Sequence, residues 1–317
     1  MRGLVIKSTG SSYIVRLDDG KDAECRIKGN FRIRGIRSTN PVAVGDYVTV
    51  SGEGLAVSGT YWITDIEERK NYIIRKSTNL SKESHILASN IDQVALIVTI
   101  NHPVTSTTFI DRFLATCEAY RVRAFLIFNK IDLLTDEEME QLNELRALYE
   151  SIGYETVVLS AVSLQPSALL PSLEGKTTLL SGNSGVGKST LLNALFGKQM
   201  TRTGKISDAH DKGMHTTTFS EMYFLDEVNN QEHIAKSRVI DTPGIKGFGS
   251  VDMTKEEVSH YFRDIFAVSR DCRFGDCTHT GEPGCAVQDA LVRGDIAISR
   301  YESYLSLLGD CTESKYR

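Results

Sequence analysis

The order of two short motifs constrains this chain more than any other feature. Asn129-Lys130-Ile131-Asp132 ends the apolar run "RAFLIF", and Gly182-Asn183-Ser184-Gly185-Val186-Gly187-Lys188-Ser189-Thr190 follows the apolar run "TTLLS". The later motif fits G-x-x-x-x-G-K-[ST] between a strand-like run and the helical "TLLNALF", the context a phosphate-binding loop requires. Its glycines let consecutive backbone N–H groups turn around phosphate oxygens, and the helix N-terminus adds its dipole. Lys188 is expected to reach the β/γ-phosphates, and the Ser189 hydroxyl to bind Mg²⁺. The earlier motif reads as a guanine loop. The Asp132 carboxylate can accept from guanine N1–H and the 2-amino group, a donor pair that adenine lacks. Lys130 would lie along the base, and Asn129 would tie the loop to neighbouring backbone. A carboxylate left unpaired is costly, so such a site discriminates strongly. Ordinary GTPases carry the phosphate loop first. Here every loop follows a strand-like run, so all can meet at one edge of one sheet despite the changed order. The sequence predicts a circularly permuted P-loop GTPase domain that takes GTP and releases GDP.

Other stretches complete the set. Asp241-Thr242-Pro243-Gly244 closes the run "SRVI". There Asp241 could hold Mg²⁺ through water, and the Gly244 N–H could approach the γ-phosphate. Ser160-Ala161 ends "TVVLSA", where a backbone loop would meet guanine O6; the pair alone carries little weight. Between Gly197 and Thr218 runs a long polar stretch, the expected place of a nucleotide-sensing loop. Of its threonines 216–218, Thr217 is taken as the Mg²⁺ and γ-phosphate sensor, and His215 as a candidate to position water. Ile245 follows Gly244 where many GTPases carry a water-orienting Gln, so intrinsic turnover should be slow. The connection from this loop to the next domain is short, and its reordering on hydrolysis is expected to move that domain.

Chain length decides the rest of the organisation. At 317 residues there is room for two or three domains. Residues 1–71 carry short alternating runs ("GLVIKS", "SYIVRL", "DAECRIK", "DYVTVSG", "YWITDIEE") split by turn residues, which favour a small OB-fold β-barrel. Its stretch "CRIKGNFRIRGIRSTN" holds Arg26, Lys28, Arg32, Arg34 and Arg37 without an acid, either a solvated hairpin or an RNA-facing surface. Residues 72–253 alternate strand and helix patterns, a doubly wound α/β domain. Residues 254–317 read as helical around "CRFGDCTHTGEPGC". Cys272, Cys277, His279 and Cys285 in that loop offer three thiolates and an imidazole, the donor set of a closed structural Zn²⁺ site. Reduced surface thiols or a redox switch are the competing readings.

A net charge of −5 argues against wholesale nucleic-acid binding and makes any such contact local. No apolar run approaches the roughly 20 residues that span a bilayer. The first residues lack a signal peptide's apolar segment, so a cytoplasmic protein with no membrane partner is expected. It is taken to be a monomer.

The order NKID–SA–GNSGVGKS–HTTT–DTPG, with a barrel before it and a Cys/His loop after it, resembles the RsgA (YjeQ/YloQ) family of small-ribosomal-subunit GTPases. The resemblance spans nearly the whole chain. It implies GTP hydrolysis stimulated by the 30S subunit, a role in late 30S maturation, and barrel and zinc domains that contact ribosomal RNA. It also implies zinc at the three cysteines and His279, and favours His215 through the shared G-x-H-T-T pattern. The rival readings are a P-loop kinase or ATPase, against which Asp132 argues, and a guanine-dependent RNA-binding module for another ribosomal particle.

Overall fold

The computed structural model describes residues 1–10, 12–27, 41–52, 61–76, 84–163, 168–196, 220–225, 236–242 and 253–313. At the N-terminus, β1 (Arg2–Ser8), β2 (Tyr13–Leu17), β3 (Asp22–Ile27), β4 (Tyr47–Ser51) and β5 (Tyr61–Ile66) form a closed barrel in the order β1-β2-β3-β5-β4, with β4 returning to pair with β1. Only the β3–β5 pair is parallel; the others are antiparallel. Alternation explains the closure: Tyr13, Val15 and Leu17 point inward on β2, while Ile14 and Arg16 lie between them toward the outside. Val5, Cys25, Val48 and Ile63 complete that interior. This is the OB-fold expected from the sequence.

A hairpin of β6 (Tyr72–Lys76) and β7 (Ser84–Ser89) follows as a separate two-stranded sheet. It falls within the span 72–253 expected of the α/β domain but pairs as its own sheet. Beyond it, the apolar runs "QVALIV", "RAFLIF", "ETVV", "TTLLS" and "RVID" become β8 (Gln93–Val98), β9 (Arg123–Phe128), β10 (Glu155–Val158), β11 (Thr177–Ser181) and β13 (Arg238–Asp241). All five lie parallel in the order β10-β9-β8-β11-β13, as expected of strands buried on both faces. The remaining strand, β12 (Ser220–Phe224), runs antiparallel beside β13.

Helices cover both faces of this sheet. α1 (Thr107–Ala119) and α2 (Asp136–Ser151) pack Phe113, Leu114, Leu142 and Tyr149 against Val94, Leu96 and Leu126. α3 (Lys188–Phe196) packs Leu191, Leu195 and Phe196 against Ala95, Ile97 and Val239 on the opposite face. The chain leaves β8 toward β9 and β10, then returns to β11 on the other side of β8. That reversal opens a crevice beyond the C-terminal ends of β8 and β11.

β12 also pairs antiparallel with β1 of the barrel, through Lys7↔Glu221 and Ser8↔Ser220, so one sheet runs from β10 into the barrel. The cores merge too: Leu4, Ile6 and Val44 of the barrel belong to the same cluster as Leu179, Met222 and Ile240.

The C-terminal domain has its own core of Val258, Phe262, Ile265, Val287, Ala290, Tyr304 and Leu307, joined by Ala115 of α1. The helical character expected from the sequence is broken into separate pieces here. A turn at Lys255–Val258 and a 3₁₀ turn at Ser259–Tyr261 precede α4 (Arg263–Ser269). Gly294, at φ 80°, separates α5 (Ala286–Arg293) from α6 (Ile298–Glu313), because a left-handed residue ends the helix before it. No helix among the described residues is long and apolar enough to cross a membrane.

Candidate nucleotide and metal sites

The phosphate loop opens in the crevice between β11 and β8. Gly182, Gly185 and Gly187 all have positive φ, a region that side chains rarely adopt. A Cβ on Gly182 would come within 2.6 Å of the Ile97 carbonyl oxygen of β8, and one on Gly187 would strike the Asn129 amide. The glycine spacing therefore serves two ends, turning the backbone and admitting a neighbouring loop.

Asn129 is that neighbour's anchor. It is buried at the end of β9, where its Nδ2 donates to the Val186 carbonyl (2.7 Å) and its Oδ1 accepts from the Ala161 N–H (2.9 Å). One side chain thus ties together three loops lying far apart in sequence. The sequence reading gave Asn129 a tying role without its partners. It assigned the Ser160-Ala161 backbone to guanine O6, yet here the Ala161 amide is engaged by Asn129.

Lys130 adopts a left-handed conformation (φ 66°), and its Nζ donates to the His102 carbonyl. Burial lowers its pKa, against the opposing charge of Asp132. Asp132 itself lies exposed in the 3₁₀ turn Ile131–Leu133. The loop between β8 and α1, which the sequence did not mark, therefore belongs to this site. Its Pro103 would be 3.5 Å from a Cβ on Gly185, so it also lines the phosphate loop.

Lys188 opens α3, and its Nζ donates to the carbonyls of Gly182 (2.7 Å) and Asn183 (3.0 Å). Burial lowers its pKa, and the charge of Asp241 acts in the other direction. The parallel register Leu180↔Asp241 places that carboxylate, 1% exposed, beside the end of β11. Three buried hydroxyls at the same sheet edge, on Ser160, Ser181 and Thr242, have no hydrogen-bond partner. Buried polar atoms without partners are uncommon, and hydroxyls suit a polar ligand at this edge. His215, Thr217 and Gly244 lie outside the described residues, as do Lys28, Arg32, Arg34 and Arg37; Arg26 is exposed on β3.

In the C-terminal domain, the ligand atoms of Cys272, Cys277, His279 and Cys285 all lie within 4.8 Å of one another. His279 Nδ1 is 3.6 Å from Cys272 Sγ and 3.5 Å from Cys285 Sγ, and the two sulfurs are 4.0 Å apart. A tetrahedron with Zn–S bonds of about 2.3 Å has edges of about 3.8 Å, so the group could hold a metal ion of that size. Burial lowers the His279 pKa, favouring the neutral imidazole that binds metal. Burial also raises the Cys277 pKa, so its thiolate form calls for a nearby cation. The loop is held from outside: Gln288 and Tyr301 donate to the His279 carbonyl (2.6 and 2.7 Å), and Tyr304 to that of Thr278 (2.7 Å).

Comparisons with known proteins agree with this architecture. A sequence model described as RsgA GTPase matches residues 66–251, and one described as RsgA N-terminal domain matches residues 2–55. The chain is 57% identical to the small ribosomal subunit biogenesis GTPase RsgA of Phocaeicola vulgatus, covering 100% of this chain and 99% of the relative. It is 56% identical, with the same coverage, to small ribosomal subunit biogenesis GTPase RsgA 2 of Bacteroides thetaiotaomicron. Among solved structures it resembles YjeQ from Thermotoga maritima, with TM-score 0.72, 30% identity and 98% of each chain covered. It also resembles YloQ, described as a circularly permuted GTPase, with TM-score 0.70, 29% identity, and coverage of 100% of this chain and 96% of that one.

Proposed function

This chain belongs to the RsgA family of circularly permuted GTPases, and from that premise we propose that it couples GTP hydrolysis to late maturation of the small (30S) ribosomal subunit. The activity itself follows from the family: the protein is a GTP hydrolase. The observation that carries the site assignment is the double hydrogen bond of Asn129, which draws the guanine, Ser-Ala and phosphate loops into one pocket edge.

Asp132 selects guanine, with Lys130 along the base and Ser160-Ala161 near O6. If guanine O6 takes the Ala161 N–H, it shares that donor with Asn129 Oδ1. Residues 182–190 wrap the phosphates, and Lys188 carries positive charge to the β/γ-oxygens from its seat on the loop carbonyls. Ser189 and Thr217 would hold Mg²⁺, with Asp241 reaching it through water, and its charge would offset that on the phosphate oxygens. The Gly244 N–H meets the γ-phosphate, and His215 orients the attacking water. Phosphoryl transfer depends mainly on positioning and charge neutralisation, and no residue here needs to form a covalent bond.

Cys272, Cys277, His279 and Cys285 would hold one Zn²⁺, and three thiolates with an imidazole suit an ion that stabilises the fold rather than one that does chemistry. The barrel (1–71) and zinc domain (254–317) flank the GTPase domain (72–253) and supply the contacts to ribosomal RNA; the protein acts in the cytoplasm as a monomer. The test is GTP hydrolysis with and without purified 30S subunits, with 50S subunits and ATP as controls. A slow basal rate raised many-fold by 30S alone is expected. Equal stimulation by 50S would remove the subunit assignment, and comparable turnover of ATP would remove the guanine assignment.

A further inference from the structure

The C-terminal domain is fastened to the helices that leave the guanine-side loops. Arg300 of α6, 1% exposed, donates from Nη1 to Asp111 of α1 (2.7 Å) and from Nε and Nη2 to Asp264 of α4 (3.0 and 2.7 Å). Asp111 is 0% exposed and also accepts from Tyr149 OH of α2 at 2.9 Å. Nearby, Arg263 of α4 donates to Glu118 of α1 (2.7 Å) and to the Gly153 carbonyl just beyond α2 (2.8 Å). A buried guanidinium between two carboxylates has one low-energy arrangement, since either acid left alone would be a desolvated charge.

Both gripped helices begin at loops of the candidate nucleotide site. The loop before α1 provides the His102 carbonyl to Lys130 and places Pro103 beside Gly185. α2 follows the guanine loop directly, and its Glu138 accepts from Asn101 of the same β8–α1 loop (2.7 Å). None of these network residues lies on β12 or β13, the strands between the positions of Thr217 and Gly244.

We propose that Arg300 is a positioning residue for nucleotide binding: through Asp111 and Tyr149 it fixes α1 and α2, and with them the guanine-side loops. A contact made by the C-terminal domain is then felt as a change in guanine-nucleotide affinity, while the hydrolytic step is governed from the β12–β13 side. The coupling to a partner rests on the 30S reading above; the effect on free protein does not.

The experiment uses the full zinc-loaded chain and its Arg300→Met and Tyr149→Phe variants. KM and kcat for GTP and the release rate of a fluorescent GDP analogue are measured, with and without 30S subunits. Free Arg300→Met should release the analogue about fivefold or more faster and raise KM alike, with kcat held within about twofold. Tyr149→Phe removes one hydroxyl, keeps the ion pair, and should shift the same quantities less. It decides the question if Arg300→Met does not fold. With 30S present, the subunit-dependent change in GDP release should shrink in the variants. Wild-type KM and release in free Tyr149→Phe, or a fall in kcat at unchanged KM, overturns the proposal. A lowered melting temperature with wild-type KM also overturns it, since that is all a purely structural role would produce. If 30S alters neither turnover nor release in the wild type, the subunit reading fails while the free-protein measurements still decide the role of Arg300.

Discussion

Asn129 shows how much one residue can carry in a permuted site. Its amide satisfies a buried carbonyl on the phosphate loop and a buried N–H on the Ser-Ala loop. Asn129→Ala would leave both unpaired, at about 1–3 kcal/mol each. GTP binding measured by titration should weaken by about tenfold or more, the equivalent of 1.4 kcal/mol. An affinity within a factor of about two of wild type would show that the three loops hold together without it. This residue was legible in sequence because N-K-x-D is short and contiguous. The seat of Lys130 was not, since its partner is a backbone carbonyl, His102, which any residue could supply. Arg300 was hidden for a related reason: in "AISRYESYLSLL" it reads as an exposed helical cation, and its partner Asp111 lies on a different domain.

Local chemistry governs the elements. Thr135 and Glu138 form a capping box at the start of α2, with the Thr135 N–H donating to Glu138 at 3.0 Å. That bond, then the one from Asn101, lowers the Glu138 pKa from its ordinary 4.5. A carboxylate depressed on folding stabilises the fold above 4.5 and loses that contribution as pH falls below it. Stability followed by denaturant titration from pH 7 down to 3 should therefore fall less steeply in Glu138→Gln than in wild type below pH 4.5. Parallel acid limbs would show that the cap does not titrate with folding. The Cys/His loop depends on its ligands instead. Chelation should remove one zinc per chain and loosen residues 272–285, read by metal analysis and by faster amide exchange there. Unchanged exchange after complete metal loss would mean that Gln288, Tyr301 and Tyr304 hold the loop unaided.

At the scale of the whole molecule, the two flanking domains seize different halves of the GTPase. The C-terminal domain holds α1 and α2, whereas the barrel holds β12 and β13, which lie between the positions of Thr217 and Gly244. Lys7 pairs with Glu221 at 3.0 Å, and Arg238 donates to Tyr47 OH at 3.3 Å. The Phe224 ring lies under the guanidiniums of Arg16 and Arg238, at 4.2 and 5.7 Å. Because the barrel and GTPase share one apolar cluster, they should unfold together. Phe224→Ala should lower stability by at least about 1–2 kcal/mol, from two cation–π contacts at 0.5–1 kcal/mol each, to which loss of the ring's packing on the shared cluster adds. Denaturation followed by separate barrel and GTPase probes should still coincide. Two resolved transitions in the wild type would contradict a shared core.

The sequence by itself determined the nucleotide chemistry, the permuted order, the five parallel strands, the barrel and the four Cys/His residues that could hold a metal ion. Each of those is written in contiguous residues whose types and spacing are set by local geometry: glycines where φ is positive, β-rich apolar runs where both faces are covered, capping pairs three residues apart. Tertiary structure alone decided how the units meet. The pairing of β12 with β1, the seat of Lys130 and the Arg300–Asp111–Asp264 network join residues remote in the chain. Their interactions are backbone bonds with no side-chain signature, or charges whose burial is created only when the domains close over them.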